Sequence, residues 1–451
     1  MRSRTTRWVA AWLLLSAAAA TGLAWILLDD RPLAARAWFT PGPMTHGHHQ
    51  IELACGSCHT SPFGGGAVLQ DACVDCHGAQ LKRADDSHPK SKFTDPRNAD
   101  LIALLDAREC VACHVEHRPE ITHPMGLSLP PDYCVTCHRD IGEERPTHAG
   151  LGFDTCASSG CHNFHDNRAL YEDFLLKHAQ APWLLPAAKL PARDFAARWR
   201  STHAAAPALQ PDHPGDPQIV RDWLETAHAD AGVQCSDCHA PQAQAWRDQP
   251  DHESCRSCHA VQVDGFLAGK HGMRLAAGLA PMTPAQARLP MHREAAHREL
   301  SCTSCHGAHR FDTQYAAVDA CLGCHADTHS LAFKDSKHFA LWQQEQAGAL
   351  PAGSGVSCAS CHLPRVVDDT GGAESVRVEH NQNDTLRPPE AMIRPTCLHC
   401  HGLGFAIDAM ADPQLRANNF QGRPTTHIES IDMALTNLEA DRVRRRARPA
   451  E

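Results

Sequence analysis

None of the 22 cysteines in this chain stands alone, and that constrains it more than any other feature. Each belongs to a close pair, and each pair is followed at once by histidine. Ten pairs enclose two residues. The first five are Cys55/Cys58 before His59, Cys73/Cys76 before His77, Cys110/Cys113 before His114, Cys134/Cys137 before His138, and Cys235/Cys238 before His239. The others are Cys255/Cys258 before His259, Cys302/Cys305 before His306, Cys321/Cys324 before His325, Cys358/Cys361 before His362, and Cys397/Cys400 before His401. The remaining pair, Cys156/Cys161 before His162, encloses four residues. A spacing of two lets one helical turn bring both thiols and the next imidazole to one side, because positions i, i+3 and i+4 are neighbours.

That pattern is the c-type haem attachment signature. The two thiols add to the vinyl groups along one porphyrin edge, and the following histidine meets the iron as its proximal ligand. Zinc ribbons need two such pairs per metal and have no use for a histidine after each. Disulfides within such small loops would constrain little of the chain. The expectation is eleven covalent haem c groups with their iron, the four-residue loop included.

Eleven proximal histidines leave 22 of the 33 for the opposite faces, against nine methionines, so bis-histidine ligation is expected. Three candidates trail a proximal histidine by three residues: His117, His165 and His309. His49, His148, His228 and His297 stand a few residues before a pair, and His46 forms a His-x-x-His with His49. His88, His338 and His380 lie in cysteine-free gaps, as do His123, His271 and His427. His399 sits inside an attachment loop and is not expected to ligate. About half of the 22 must serve other purposes.

With aromatics at 6% and part of the 43% hydrophobic content being cysteine, the apolar side chains are thin for a core of this size. The expected fold is mostly irregular with short α-helices around a haem-filled core, plus one N-terminal transmembrane helix. Charged residues at 21% and a formal charge of −10 suggest neither extensive disorder nor a nucleic-acid partner. Haem propionates add acidity, and some of the 42 Lys and Arg are expected to pair with them.

Arg2, Arg4 and Arg7 precede an uncharged apolar run from Trp8 to Leu28, and about 20 residues suffice to span a bilayer. Asp29 and Asp30 follow, so the bulk of the chain is expected outside the inner membrane, anchored and facing the periplasm. The alternative is a cleaved signal, with Ala35-Arg36-Ala37 as a small-x-small site. The expected organisation is an anchor at 1–30, a five-haem domain at 31–165, a Pro-rich partly helical connector at 166–227, a six-haem domain at 228–429, and a C-terminal helix with basic tail at 430–451. Within the connector, Ala169–His178 and Phe195–Thr202 read as helical. Ser430 reads as the N-cap of the last helix.

The His-rich N-terminal block and the Cys110–His117 and Cys302–His309 modules, each with a trailing histidine, resemble class III-type multihaem cytochromes and their doubled Cys-x-x-Cys-His units. The stretch from His338 to His401 resembles the last two haems of the pentahaem nitrite reductase and hydroxylamine oxidoreductase superfamily. The matching residues are His338, Gly355-Val356-Ser357, the Cys358/Cys361-His362 site with Leu363-Pro364, His380 and the Cys397/Cys400-His401 site. That resemblance implies axial roles for His338 and His380. It departs at the catalytic haem, because no Cys-x-x-Cys-Lys occurs, and the gap from His338 to Cys358 is longer than typical. The expected function is electron transfer between a membrane, quinol-linked donor and a periplasmic or outer-membrane acceptor, with redox proteins as partners. The alternative is an oxidoreductase acting on a small nitrogen or sulfur compound at one open haem.

Overall fold

The computed structural model describes residues 2–28, 40–61, 64–84, 88–145, 148–150, 152–156, 162–166, 211–213, 215–368, 375–429 and scattered positions between 432 and 443. The first element is a helix, Arg2–Leu28, whose stretch Thr5–Trp25 is long and apolar enough to cross a membrane. None of that stretch is buried against the rest of the chain.

Beyond residue 40, short helices, single 3-10 turns and irregular segments follow one another. Two strands, Arg365–Asp368 and Ser375–Val378, pair antiparallel with Arg365 opposite Val378. Two of the longer helices begin where the sequence supplies an N-cap. Asp251 accepts the Ser254 amide at the start of His252–Ala268, and Ser336 accepts that of Phe339 at the start of Lys337–Gln346. Asp216 and Thr226 cap the two helices at the end of the expected connector, Pro217–Leu224 and Ala227–Asp230. The expected helices at 169–178 and 195–202, and the cap at Ser430, lie outside the described residues.

Buried apolar side chains are sparse and uneven. Among the described residues from 40 to 166 they are Met44, Ala54 and Ala72. Burying them contributes a few kcal/mol, at about 25 cal/mol per Å². Ordering a hundred residues costs on the order of 100 kcal/mol. The C-terminal half has two apolar patches. Val318, Leu322 and Phe333 pack with Phe339 and Trp342. Leu403, Ile407 and Met410 are buried on the helix Leu403–Ala411, which packs against Pro413–Ala417 and the turn Pro389–Met392.

The segment Met44–Gln50 is strapped to the later half of the chain. The Lys270 ammonium donates to the carbonyls of His46 and Gly47 at 2.7 and 2.8 Å. Arg274 donates to Gln50 O at 2.8 Å, Arg288 to Met44 O at 3.2 Å, and the Gln50 amide to Gln286 O at 3.1 Å. Nearby, Arg83 pairs with Asp384 at 3.2 Å.

Candidate metal centres

Among the described residues, ten of the attachment motifs fold as about one turn of helix. Cys235–His239, Cys302–His306 and Cys358–His362 are short helices, each opened by a reciprocal capping box: Gln234 with Asp237, Ser301 with Ser304, Ser357 with Ser360. Where the turn is tighter, the same bond persists. The proximal histidine amide donates to the carbonyl of the first cysteine at 2.8 Å for His59, 2.9 Å for His114 and His325, 3.0 Å for His138 and 2.8 Å for His401. Two motifs lie on the long helices Gly66–Ala84 and His252–Ala268. Cys161 lies outside the described residues.

Ten of the eleven proximal rings face one other histidine. In chain order the ring centres are separated by 5.9 Å for His77 and His48, 6.2 Å for His114 and His165, and 5.9 Å for His138 and His88. The separation is 6.2 Å for His162 and His148, 5.9 Å for His239 and His309, and 5.8 Å for His259 and His228. It is 6.3 Å for His306 and His380 and for His325 and His271, 6.1 Å for His362 and His329, and 6.2 Å for His401 and His338. Two imidazoles on opposite sides of one iron hold their nitrogens about 4 Å apart, which sets the ring centres about 6 Å apart. The described residues thus fit an iron porphyrin between each pair.

Second bonds orient these rings. A metal-binding imidazole commonly donates its other N–H to a carbonyl or carboxylate, which fixes the tautomer. His88 donates through Nδ1 to Phe164 O at 2.8 Å, His114 to Gly126 O at 3.0 Å and His239 to Arg247 O at 2.6 Å. His329 donates to Arg416 O at 2.5 Å and His380 to Val378 O at 3.0 Å. His48 instead meets the Glu116 carboxylate at 2.5 Å. Burial, reinforced by the facing histidine, lowers His271, His338 and His362 to about 4, so these rings are neutral and carry a free lone pair. Gly265 lets the His380 segment approach, since a Cβ there would lie 2.9 Å from Glu379 Oε1 and 3.3 Å from His380 Cβ.

The facing set differs from the sequence expectation at a few places. His48, rather than His46 or His49, stands opposite His77. His46 and His49 stack on each other at 5.7 Å, and both ring nitrogens of His49 are engaged, by His46 O and the Gln50 amide. His329, four residues after His325, was not singled out, and His271 was only a further candidate. His297 and His117 face no proximal ring among the described residues. His427 bonds Asp408 at 3.0 Å and Asp432 at 2.7 Å, and these carboxylates raise it to about 9, so it is a cation.

Neighbouring motifs touch through their thiols. Cys73 lies beside Cys110, Cys134 beside Cys156, Cys255 beside Cys302, and Cys321 beside Cys358. Cys58 lies near Cys76, Cys238 near Cys255 and Cys258, Cys305 near Cys321 and Cys324, and Cys361 near Cys397 and Cys400. Tyr133 sits among Cys113, Cys134 and Cys156.

Turns that place a second imidazole across from the motif histidine, repeated along the chain, are the arrangement that a multihaem c-type cytochrome requires. Residues 47–139 match the family model of cytochrome c3, and the matched stretch spans the first four attachment sites. No curated protein and no solved structure matches the chain. The cytochrome c3 match supports covalent c-type haem with iron in an electron-transfer protein.

Proposed function

We propose that the chain is an eleven-haem electron-transfer cytochrome, held at or exported across a membrane by its N-terminal helix. The observation that carries this reading is the set of ten histidine pairs with ring centres 5.8–6.3 Å apart. In each pair the motif histidine is the proximal ligand and the facing histidine the distal one. The haem supplies a reversible one-electron site, and its porphyrin replaces the apolar core that the side chains lack. The chain's own residues attach the ring edge, hold both imidazoles in the tautomer that presents a lone pair, and set the attachment turns of successive rings side by side. Electrons enter from a membrane-linked donor and leave to a redox protein farther out.

A second reading rests on His59, which is exposed and, among the described residues, faces no other imidazole. An iron open there would bind a small nitrogen or sulfur compound, and the protein would be an oxidoreductase. Two measurements decide. The intact mass should carry eleven haems, and paramagnetic resonance of the oxidised protein should show only low-spin iron. Fewer haems would sink the count, and a stoichiometric high-spin signal would favour the enzyme.

A further inference from the structure

The two blocks of sites carry one ligand pattern twice. Number the sites 1 to 11 in chain order and set site 6 beside site 1. In each block the second site faces a histidine that precedes the whole block: His48 for His77, His228 for His259. The third faces one that follows the fifth site: His165 for His114, His380 for His306. The fourth faces one lying between the second and third sites: His88 for His138, His271 for His325. The fifth faces one lying between the fourth and fifth sites: His148 for His162, His329 for His362.

Thiol contacts repeat in the same order. First and second sites approach through Cys58 and Cys76, as through Cys238 and Cys255. First cysteines adjoin between the second and third sites, Cys73 with Cys110 and Cys255 with Cys302. They adjoin again between the fourth and fifth, Cys134 with Cys156 and Cys321 with Cys358. In both blocks the second site lies on a long helix, Gly66–Ala84 or His252–Ala268.

One place in the pattern is vacant. The first site of the second block, His239, faces His309, which trails the third proximal histidine by three residues. Its counterpart is His117, which trails His114 by three residues. His117 and His309 share a backbone conformation that side-chain-bearing residues rarely adopt, φ +60° and +63°. His165, the other trailing histidine, is absent from the positive-φ residues and serves a third site. The His117 Nδ1 donates to Gly42 O at 2.9 Å, the bond that fixes the ligand tautomer elsewhere in the chain. A Cβ on Gly42 would lie 2.8 Å from His117 O, so the glycine permits this contact.

We infer that the chain is a duplicated five-haem module with an eleventh haem appended, and that His117 is the distal ligand of the haem at His59. This rests on the cytochrome reading above. Every haem then has two protein ligands, and His338 with His401 forms the site outside the repeat.

The test uses the full-length haem-loaded protein. Mass first establishes eleven haems, and a lower count is a failure of the cytochrome reading, separate from this one. Oxidised wild-type protein should show low-spin iron alone by paramagnetic resonance and magnetic circular dichroism. His117→Ala and His309→Ala should each turn one haem in eleven high-spin, the double variant two, with added imidazole restoring low spin. His117→Met guards against a variant that fails to accumulate, and should give one haem with the absorption band of methionine-ligated ferric iron. A wild-type high-spin haem that His117→Ala leaves unchanged would overturn the assignment. So would a His117 variant in which every haem stays bis-histidine and low-spin.

Discussion

Glu116→Gln should raise the potential of one haem, the one at His77, and leave its spin state alone. The Glu116 carboxylate accepts from the Thr45 amide at 3.1 Å and its hydroxyl at 2.8–2.9 Å, and meets His48 Nδ1 at 2.5 Å. Burial pushes the carboxyl up, but the bonds from His48 and Thr45 outweigh it and hold it at about 2, so it is ionised at neutral pH. With His48 as ligand through Nε2, the 2.5 Å contact at Nδ1, the width of the imidazole and an iron–nitrogen bond of about 2 Å would put this charge about 6 Å from the iron. At an effective dielectric constant of 20, a unit charge there favours the oxidised iron by about 2.8 kcal/mol. The side chain is 29% exposed, which screens part of this. At about 59 mV per 1.4 kcal/mol for one electron, the expected rise is roughly 50–120 mV. Glutamine keeps the size and an acceptor oxygen while removing the charge. A potentiometric titration followed by visible absorption should show one of the eleven components moving positive. An unmoved titration, or a shift spread over many components, would refute the triad of Glu116, His48 and iron.

His329→Ala should convert one haem to high spin, and the loss of its Nδ1 bond to Arg416 O should cost about 1–3 kcal/mol in denaturant titrations; retention of eleven low-spin haems would remove His329 from the ligand set. Gly265→Val should press the His380 segment away from His306 and loosen that haem alone, read as a high-spin or imidazole-sensitive fraction of one in eleven. Asp408 and Asp432 raise His427 to about 9 from an ordinary 6.5, so its charge stabilises the folded state fully below about pH 6.5, and the gain disappears as pH rises through 9. The difference in protease resistance between wild type and His427→Gln should therefore be present at pH 6 and absent at pH 10, and a difference that persists at pH 10 would remove the ion pairs as its cause.

The candidate attachment motifs are legible because the covalent chemistry they would serve demands a fixed spacing. The facing histidines were legible only in part. His88, His148, His165, His228, His309, His338 and His380 stand out by their offsets from a motif or by isolation in a gap, and their rings do face motif histidines. His48 was hidden among His46, His48 and His49, where only the fold decides which ring turns toward His77. The deciding contact comes from Glu116, far along the chain. His329 follows its motif by four residues instead of three, on the helix Thr328–Ala332 that Asp327 caps, and its ring is held by Arg416 O, far along the chain. The repeat was not legible at all. Gaps between corresponding motifs differ in length, so no fixed period appears, and the ligand order emerges only when each ring's partner is seen.

Four pairs of cysteines from successive motifs stand side by side: Cys73 with Cys110, Cys134 with Cys156, Cys255 with Cys302 and Cys321 with Cys358. Until a vinyl group adds to each sulfur these are adjacent free thiols. In a compartment that forms disulfides, a chain that compacted before receiving its haems would close them as crosslinks between successive motifs. A vinyl thioether on either sulfur forecloses that outcome. The expected order of maturation is therefore attachment of the porphyrins to reduced, separated thiols first, and closure of the chain around them afterwards.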